Sequence, residues 1–532
     1  MQKRLIAVAV VMTAMFSVLY MRLYVIVNDK RYSAAGAAQS STTLEIGCEN
    51  ANIYDRQMRK LVNNDVEYLA AIAPSPETVE EILPHLKDKN EFYEQLVYGS
   101  PFVCEIDTKD IKSNDINVFK EHKRYSSDQS AVHVIGYVCD GTGVTGIESA
   151  YDDFLRSHTH TNRINYAING LGRVLDGIKK EITIEEPMTA GVVLTIDKYI
   201  QSICELAGRT IEKGAIVVMD IQSGDILAMA SFPDYDPNNI GAALSDKNSP
   251  LINRCLYSYS VGSIFKLVTA LSAFEQGIDE DFSYKCKGWE EVEGQIFMCH
   301  DHSGHGNQDM TQAMSNSCNT YFIKLAQRLK ITGMRDTAQK LGFGTAISLA
   351  AGINADGGYL QSEEELALPA ERANFSFGQG KLSASPLQIC RFTSAIANEG
   401  KLFLPRLVVG ITEDGKEIKE QKGGLYTQVF DRDTAFRLQD LMTAAVNGNP
   451  HSNARPSNTR AAGKTSTAQT GIFDENGEEL CHGWITGYFP ISQPKYAVTV
   501  LCEDGGYGND CAAPVFKEIA ERITDIYEKS SN

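Results

Sequence analysis

The sequence has no CxxC pair, no excess of positive charge, no internal repeat and no low-complexity block, and each absence removes a class of function. Its 12 cysteines are scattered from Cys48 to Cys511. Without a CxxC pair, zinc-ribbon and thioredoxin-type readings lose their main support. The 50 basic against 68 acidic residues leave a net charge of -18, which argues against nucleic acid or a polybasic contact with a membrane surface. What is present is a folded chain, because 43% of residues are hydrophobic and only 22% charged. At 532 residues it exceeds one ordinary core of about 100–200 residues, so two globular units with accessories are expected.

The amino terminus carries one long apolar run. Lys3 and Arg4 precede Leu5–Met21, and after Arg22 the run continues through Leu23–Val27. Together, 5–27 reaches the roughly 20 residues that a spanning helix needs. The basic flank orients residues 1–4 inward and the remainder outward. The alternative is a cleaved signal peptide, since Ala35-Gly36-Ala37 has small-residue cleavage character. That site lies beyond Asp29, Lys30 and Arg31, well past the apolar run. A retained anchor, followed by a polar linker over Tyr32–Thr43, is the expectation.

From about Leu44 to Met188 short apolar runs mix with helical stretches at Glu77–Leu86 and Ile147–Leu155. A strand is expected at Val192–Ile196, a helix over Ile200–Ile211, and a hairpin of Ala215–Met219 with Ile226–Ser231 around the turn Gln222-Ser223-Gly224-Asp225. Late strands follow at Trp484–Tyr488 and Tyr496–Cys502. The final helix is expected over Pro514–Tyr527, with proline in its first turn. The boundary between the two domains is placed near residue 190.

Two local patterns have ordinary explanations. Gly141-Thr142-Gly143-Val144-Thr145-Gly146 spells GxGxxG between an expected strand (Val132–Val138) and a helix, the context of a dinucleotide fingerprint. No alternating strand–helix series follows, so a glycine-rich turn is the better reading. Cys286 and Cys299 lie close in sequence, with His300, His302 and His305 just beyond. A disulfide, a metal site or free thiols would each account for them. No metal ligand and no cofactor is assigned to the functional site.

The informative signal is an ordered trio. Ser263-Ile264-Phe265-Lys266 opens a helical pattern, and the i, i+3 spacing puts hydroxyl and amine on one face. Ser317-Cys318-Asn319 offers a second hydroxyl and an amide. Lys464-Thr465-Ser466-Thr467, within a strand, offers a cation and hydroxyls suited to a carboxylate. Each piece alone is ordinary, and Ser530–Asn532 also spells SxN; the order of all three is not.

With this trio the chain resembles the penicillin-binding transpeptidases of the SxxK, SxN and KTG motifs, and among them the monofunctional class B proteins. The likeness extends to Gly214–Pro233 with Tyr235–Asn238, to Phe377–Gly380 and Pro386–Gly400, and to Trp484–Pro490 and Ala513–Ala520. In the amino-terminal half, Ile53-Tyr54-Asp55-Arg56 and Gly146-Ile147-Glu148 with Tyr151 resemble segments of the family's pedestal domain. The resemblance implies a mixed α/β (α+β) fold: an anchor, a pedestal over 28–190, and a transpeptidase domain over 191–532 with an antiparallel sheet flanked by helices.

It also implies a chemistry. Ser263 would attack the penultimate D-Ala carbonyl of a stem ending in D-Ala-D-Ala, with Lys266 as base, Ser317 as proton shuttle and Asn319 as orienting amide. Lys464 and Thr465 would bind the terminal carboxylate, and the backbone N–H groups of Ser263 and Thr467 would form the oxyanion hole. β-Lactams would trap Ser263. A membrane glycosyltransferase of the shape, division and sporulation (SEDS) family is the implied partner.

Three positions depart from the family pattern. Ser466 stands where KTG has glycine, Val261 replaces the proline often found before Gly262, and Asn50-Ala51 replace Arg-Gly. Ser466 shares a strand face with Lys464, so its side chain is expected to crowd the site. Two other readings follow. One is a non-catalytic scaffold disabled by Ser466. The other is a serine β-lactamase or sensor, which lacks a recognisable deacylating glutamate here; Tyr507-Gly508-Asn509 reads as a turn.

Overall fold

The computed structural model describes residues 2–28, 40–111, 113, 115–175, 177–178, 180–278 and 282–528. The greater part of the expected linker, 32–39, and the Ala35-Gly36-Ala37 segment lie outside the described residues, while Ser41–Thr43 already belong to a strand. Two compact units are present. One comprises 1–50, 63–124 and 158–188, and the other 51–62, 125–157 and 189–532. The stretch expected as one pedestal over 28–190 is thus threaded between both. Part of the reason is main-chain pairing: Asn52–Tyr54 pairs in parallel with Gly191–Leu194, in a sheet continued by Val408–Thr412 and Ile418–Glu420. The buried Asp55 carboxylate fixes the same segment. It accepts from the Gln57, Arg59 and Lys198 amides and pairs with the Arg59 guanidinium, which also reaches Asp197.

In the smaller unit the apolar run is one helix, Gln2–Asn28, with no buried residue and a mean hydropathy of 2.0 in its most apolar window. Its 27 residues rise about 40 Å, enough for a hydrocarbon layer of about 30 Å. Two three-stranded antiparallel sheets accompany it, one of them ordered Phe102–Ile106, Asp65–Ile72, Ile116–Lys123. That sheet buries Ala70, Ile72, Phe102 and Ile116 against Ile82, Leu86 and Phe92. The expected helix at Glu77–Leu86 is Pro76–Ile82, capped by Ser75, followed by a 3-10 turn.

The larger unit is organised on a five-stranded antiparallel sheet. Its order is Ile226–Phe232, Gly214–Asp220, Tyr496–Cys502, Glu479–Phe489, Ala462–Phe473. Alternation fixes the two faces. Ile216, Val218, Ile485, Phe489, Val498 and Val500 face Phe516 and Ile519 of the helix Gly508–Ile523 and Ile200 and Ile203 of Lys198–Ala207. On the opposite face Thr486 bonds to Thr393 of the buried helix Pro386–Ala397. The expected hairpin turn is present, with the Asp220 carboxylate accepting from the Gln222 and Ser223 amides and Gly224 at φ +78°.

Several expected boundaries are corrected. Val132–Val138 is not a strand: Val132–Ile135 forms one helical turn between Ala131 (φ +57°) and Gly136 (φ +84°). All-round burial had hidden the period. The GxGxxG segment closes on itself, because a Cβ on Gly143 would lie 2.1 Å from the Glu148 carbonyl oxygen and one on Gly146 would lie 2.5 Å from that of Val134. Its glycines thus serve close backbone approach within the turn. Ile147–Leu155 is broken at Tyr151 into two short helices, and the helix expected over Ile200–Ile211 is Lys198–Ala207 followed by a 3-10 turn. Finally, the last helix begins at Gly508, so Pro514 lies inside it and Tyr507-Gly508-Asn509 opens it instead of forming a free turn.

Candidate active site

Ser263 sits in a 3-10 turn, Gly262–Phe265, which leads directly into the helix Lys266–Glu275. Gly262 adopts φ +62°, a region that glycine enters without penalty. The helix is buried along almost its whole length, so Lys266 points inward with no exposed surface. Four acceptors surround its three N–H bonds: Ser263 Oγ at 3.0 Å, Ser317 O at 2.6 Å, Ser317 Oγ at 3.2 Å and Asn319 Oδ1 at 2.8 Å. All three residues of the first two motifs therefore meet at one nitrogen.

Ser317 is held at φ +50°, an uncommon conformation for a non-glycine residue. It turns both its carbonyl and its hydroxyl toward Lys266. Asn319 begins the helix Asn319–Ala326, and its amide donates to the Met298 carbonyl at 3.1 Å. The third motif lies on the edge strand Ala462–Phe473. Buried Lys464 donates to Ser317 Oγ at 3.1 Å and to its neighbour's Thr465 carbonyl at 2.9 Å. Ser317 Oγ thus bridges the two lysines. Thr465 and Thr467 line the same cleft, of about 730 Å³, together with Phe377, Gln379, His451 and Tyr507. Thr467 Oγ1 also accepts from the Gly508 amide at 3.3 Å. Every residue expected in the site is thus brought to one place.

Burial pushes the Lys266 amine down to about 8, with the nearby Cys299 and Cys318 thiols pulling the other way. Lys464 is pushed well below the usual lysine range, by burial first and then by the Lys266 charge. The like-charge effect between the two amines thus falls on Lys464, while burial is what lowers Lys266. Two buried amines sharing one hydroxyl cannot both keep a proton cheaply. A carboxylate brought by a ligand would supply the missing countercharge.

Ser466 lines the cleft beside Lys464 and Thr467, with its hydroxyl turned to the backbone before the nucleophile. Its side chain is buried and its hydroxyl donates to the Val261 carbonyl at 2.8 Å. Gly262 makes room, since a Cβ there would lie 2.4 Å from Ser466 Oγ.

Beside the site, the structure adds Cys318 to the Cys286, Cys299 and His305 cluster named in the sequence. Cys286, Cys299, His305 and Cys318 bring their ligand atoms within 4.8 Å of one another. Cys318 had been read only as the middle of SxN, although a third thiol close to His305 in sequence was the available signal. His300 and His302 do not join the four, although both line the cleft.

Comparison with known proteins agrees with this geometry. The penicillin binding protein transpeptidase domain matches residues 214–521, and the chain belongs to that family. Stage V sporulation protein D of Bacillus subtilis is 28% identical over 413 residues, covering 73% of this chain and 61% of that protein. Peptidoglycan D,D-transpeptidase MrdA of Haemophilus influenzae is 28% identical over 468 residues, covering 77% and 69%. Among solved structures, one titled as structural coordination of polymerization and crosslinking by a peptidoglycan synthase complex superposes with a TM-score of 0.71. It is 24% identical and covers 97% of both chains. A complex of penicillin-binding protein PBP2 with MreC from Helicobacter pylori gives 0.66 at 22% identity, over 92% of this chain and 99% of that one. Within the family the chain is of the class B type, and its activity is that of a peptidoglycan D,D-transpeptidase, a serine acyltransferase.

Proposed function

We propose that Ser263 forms the acyl-enzyme with peptidoglycan stems ending in D-Ala-D-Ala, and that an amine from a neighbouring stem resolves it. The observation that carries this assignment is the convergence of Ser263 Oγ, Ser317 Oγ and Asn319 Oδ1 on Lys266 Nζ. In the neutral amine a lone pair replaces one donor and takes the Ser263 proton as Oγ attacks. Ser317 Oγ, touching both lysines, returns a proton to the departing D-Ala nitrogen. Lys464 and Thr465 hold the terminal carboxylate, and Asn319 orients both Lys266 and the donor amide. The backbone N–H groups of Ser263 and Thr467 receive the developing oxyanion.

Among the described residues lining the cleft none is Asp or Glu. That favours an acyl-enzyme that waits for an amine over one that a carboxylate-activated water would hydrolyse. β-Lactams, which mimic the donor, trap Ser263. The helix Gln2–Asn28 anchors the protein in a bacterial cell membrane, with the catalytic unit outside the cytoplasm. A SEDS-family glycosyltransferase is the proposed partner in the membrane. The test is to supply a pentapeptide stem and an amine acceptor and to follow D-Ala release and the cross-linked product. Product requiring Ser263 is expected; D-Ala release without any amine-linked product would mean a hydrolase.

A further inference from the structure

The turn that carries Ser263 is gripped from outside at its first carbonyl. Val261 caps the 3-10 turn Gly262–Phe265, and the Ser466 hydroxyl donates to the Val261 carbonyl at 2.8 Å. Both residues are buried, where a hydrogen bond is stronger than in water. The partners are 205 positions apart in the chain, and each is one of the departures from the family pattern.

The neighbouring main chain is held from several elements. Ser466 stands opposite Trp484 in the strand register, and Trp484 Nε1 donates to the Ser260 carbonyl at 3.0 Å. One cross-strand pair therefore holds two successive carbonyls, those of Ser260 and Val261. Before them, Tyr259 and Ser260 pair with Ala384 and Ser383, and after them the Gly262 amide donates to Gly378 O at 2.8 Å. The packing is close as well. A Cβ on Gly262 would lie 3.1 Å from the Thr467 carbonyl oxygen, and one on Gly378 would lie 2.0 Å from that of Gly262.

Within this frame the Ser466 hydroxyl has a distinct place. Trp484, Gly378 and Ser383 fasten the segment to other elements, whereas Ser466 fastens it to the strand Ala462–Phe473 that carries Thr467. The two proposed oxyanion donors follow the tie closely: Ser263 is two residues after Val261, and Thr467 is one residue after Ser466. Donors of this kind act by being fixed before charge develops, and small misplacements are costly in rate. Proline at 261 would hold φ near about −65° through its ring; Val261 has φ −88° without that restraint.

We infer that Ser466 is a positioning residue whose hydroxyl takes the place of the proline restraint, tying Val261 to the strand Ala462–Phe473 and so fixing the spacing of the Ser263 and Thr467 amides. The inference rests on the assignment of those amides as the oxyanion hole.

The test measures acylation of the full chain by a fluorescent penicillin over a range of concentrations, which separates the acylation rate constant from non-covalent affinity. Ser466→Ala and Ser466→Gly are each expected to lower the rate constant about threefold to tenfold, with little change in affinity. The pH inflection near 8 should stay in place, because Lys266 keeps its own contacts. Val261→Pro should restore most of the rate in the Ser466→Gly background, which repair of general packing would not do. Unchanged or faster acylation in Ser466→Ala, an equal loss of affinity, or no recovery with proline would overturn the inference.

The tie is also read without catalysis, by amide hydrogen exchange followed by mass spectrometry. Peptides covering 259–267 should exchange faster in Ser466→Ala than in the wild type, while those of the buried helix Pro386–Ala397 should not. Equal exchange over 259–267 would overturn the inference. A wild-type protein that never labels would refute the assignment of Ser263, and the exchange result would still uphold or overturn the tie.

Discussion

The acylation rate should titrate with Lys266, and the structure sets both the position and the size of the effect. An ordinary lysine at 10.5 is neutral in about one molecule in 3,000 at pH 7. With burial pushing Lys266 down to about 8, roughly one molecule in ten is neutral at that pH. The reactive fraction is therefore about 300-fold larger than an exposed lysine would give. Because the group must lose its proton to act, the second-order rate constant for a fluorescent penicillin should rise tenfold per pH unit below about pH 7. It should bend near pH 8 and level off above, since this constant reports the free enzyme. Stopped-flow labelling between pH 5.5 and 10 measures it. Lys266→Arg, which cannot deprotonate in this range, should be inactive throughout. A rate still climbing at pH 10 would refute burial as the cause, and an unchanged profile in Lys266→Arg would refute Lys266 as the base.

Two other consequences follow from the same contacts. Lys464→Ala removes the cation proposed for the terminal carboxylate and should lower acylation about 10- to 100-fold. Asp55→Ala leaves three backbone amides without their acceptor and the Arg59 guanidinium with Asp197 alone. It should cost roughly 3 kcal/mol, read as a lower midpoint in thermal unfolding, and the labelling of Ser263 at low temperature should persist.

The trio proposed as catalytic was legible because each motif is local: a serine and a lysine one helical turn apart, a hydroxyl and an amide two residues apart, a cation at one strand position. The sequence also carried the hairpin at 214–232, whose alternation and turn residues agree. Groups assembled from distant segments were not legible. Cys318 joins Cys286, Cys299 and His305 only when the SxN turn packs beside the 286–306 loops. Val261 and Ser466, 205 positions apart, were noticed as separate anomalies and proved to be partners. The threading of 51–62 and 125–157 into the larger unit depends on strand pairing and buried carboxylates that no local period encodes. The start of the final helix was misplaced because a proline normally marks a first turn, whereas Pro514 is carried inside the helix.

The central claim is that Ser263 is the nucleophile of a working acyl-transfer site. Incubating the full-length protein with a fluorescent penicillin and mapping the adduct by mass spectrometry tests it most directly. A stable adduct on Ser263, absent from Ser263→Ala, is the predicted result. An adduct elsewhere, or none at saturating ligand, would contradict it.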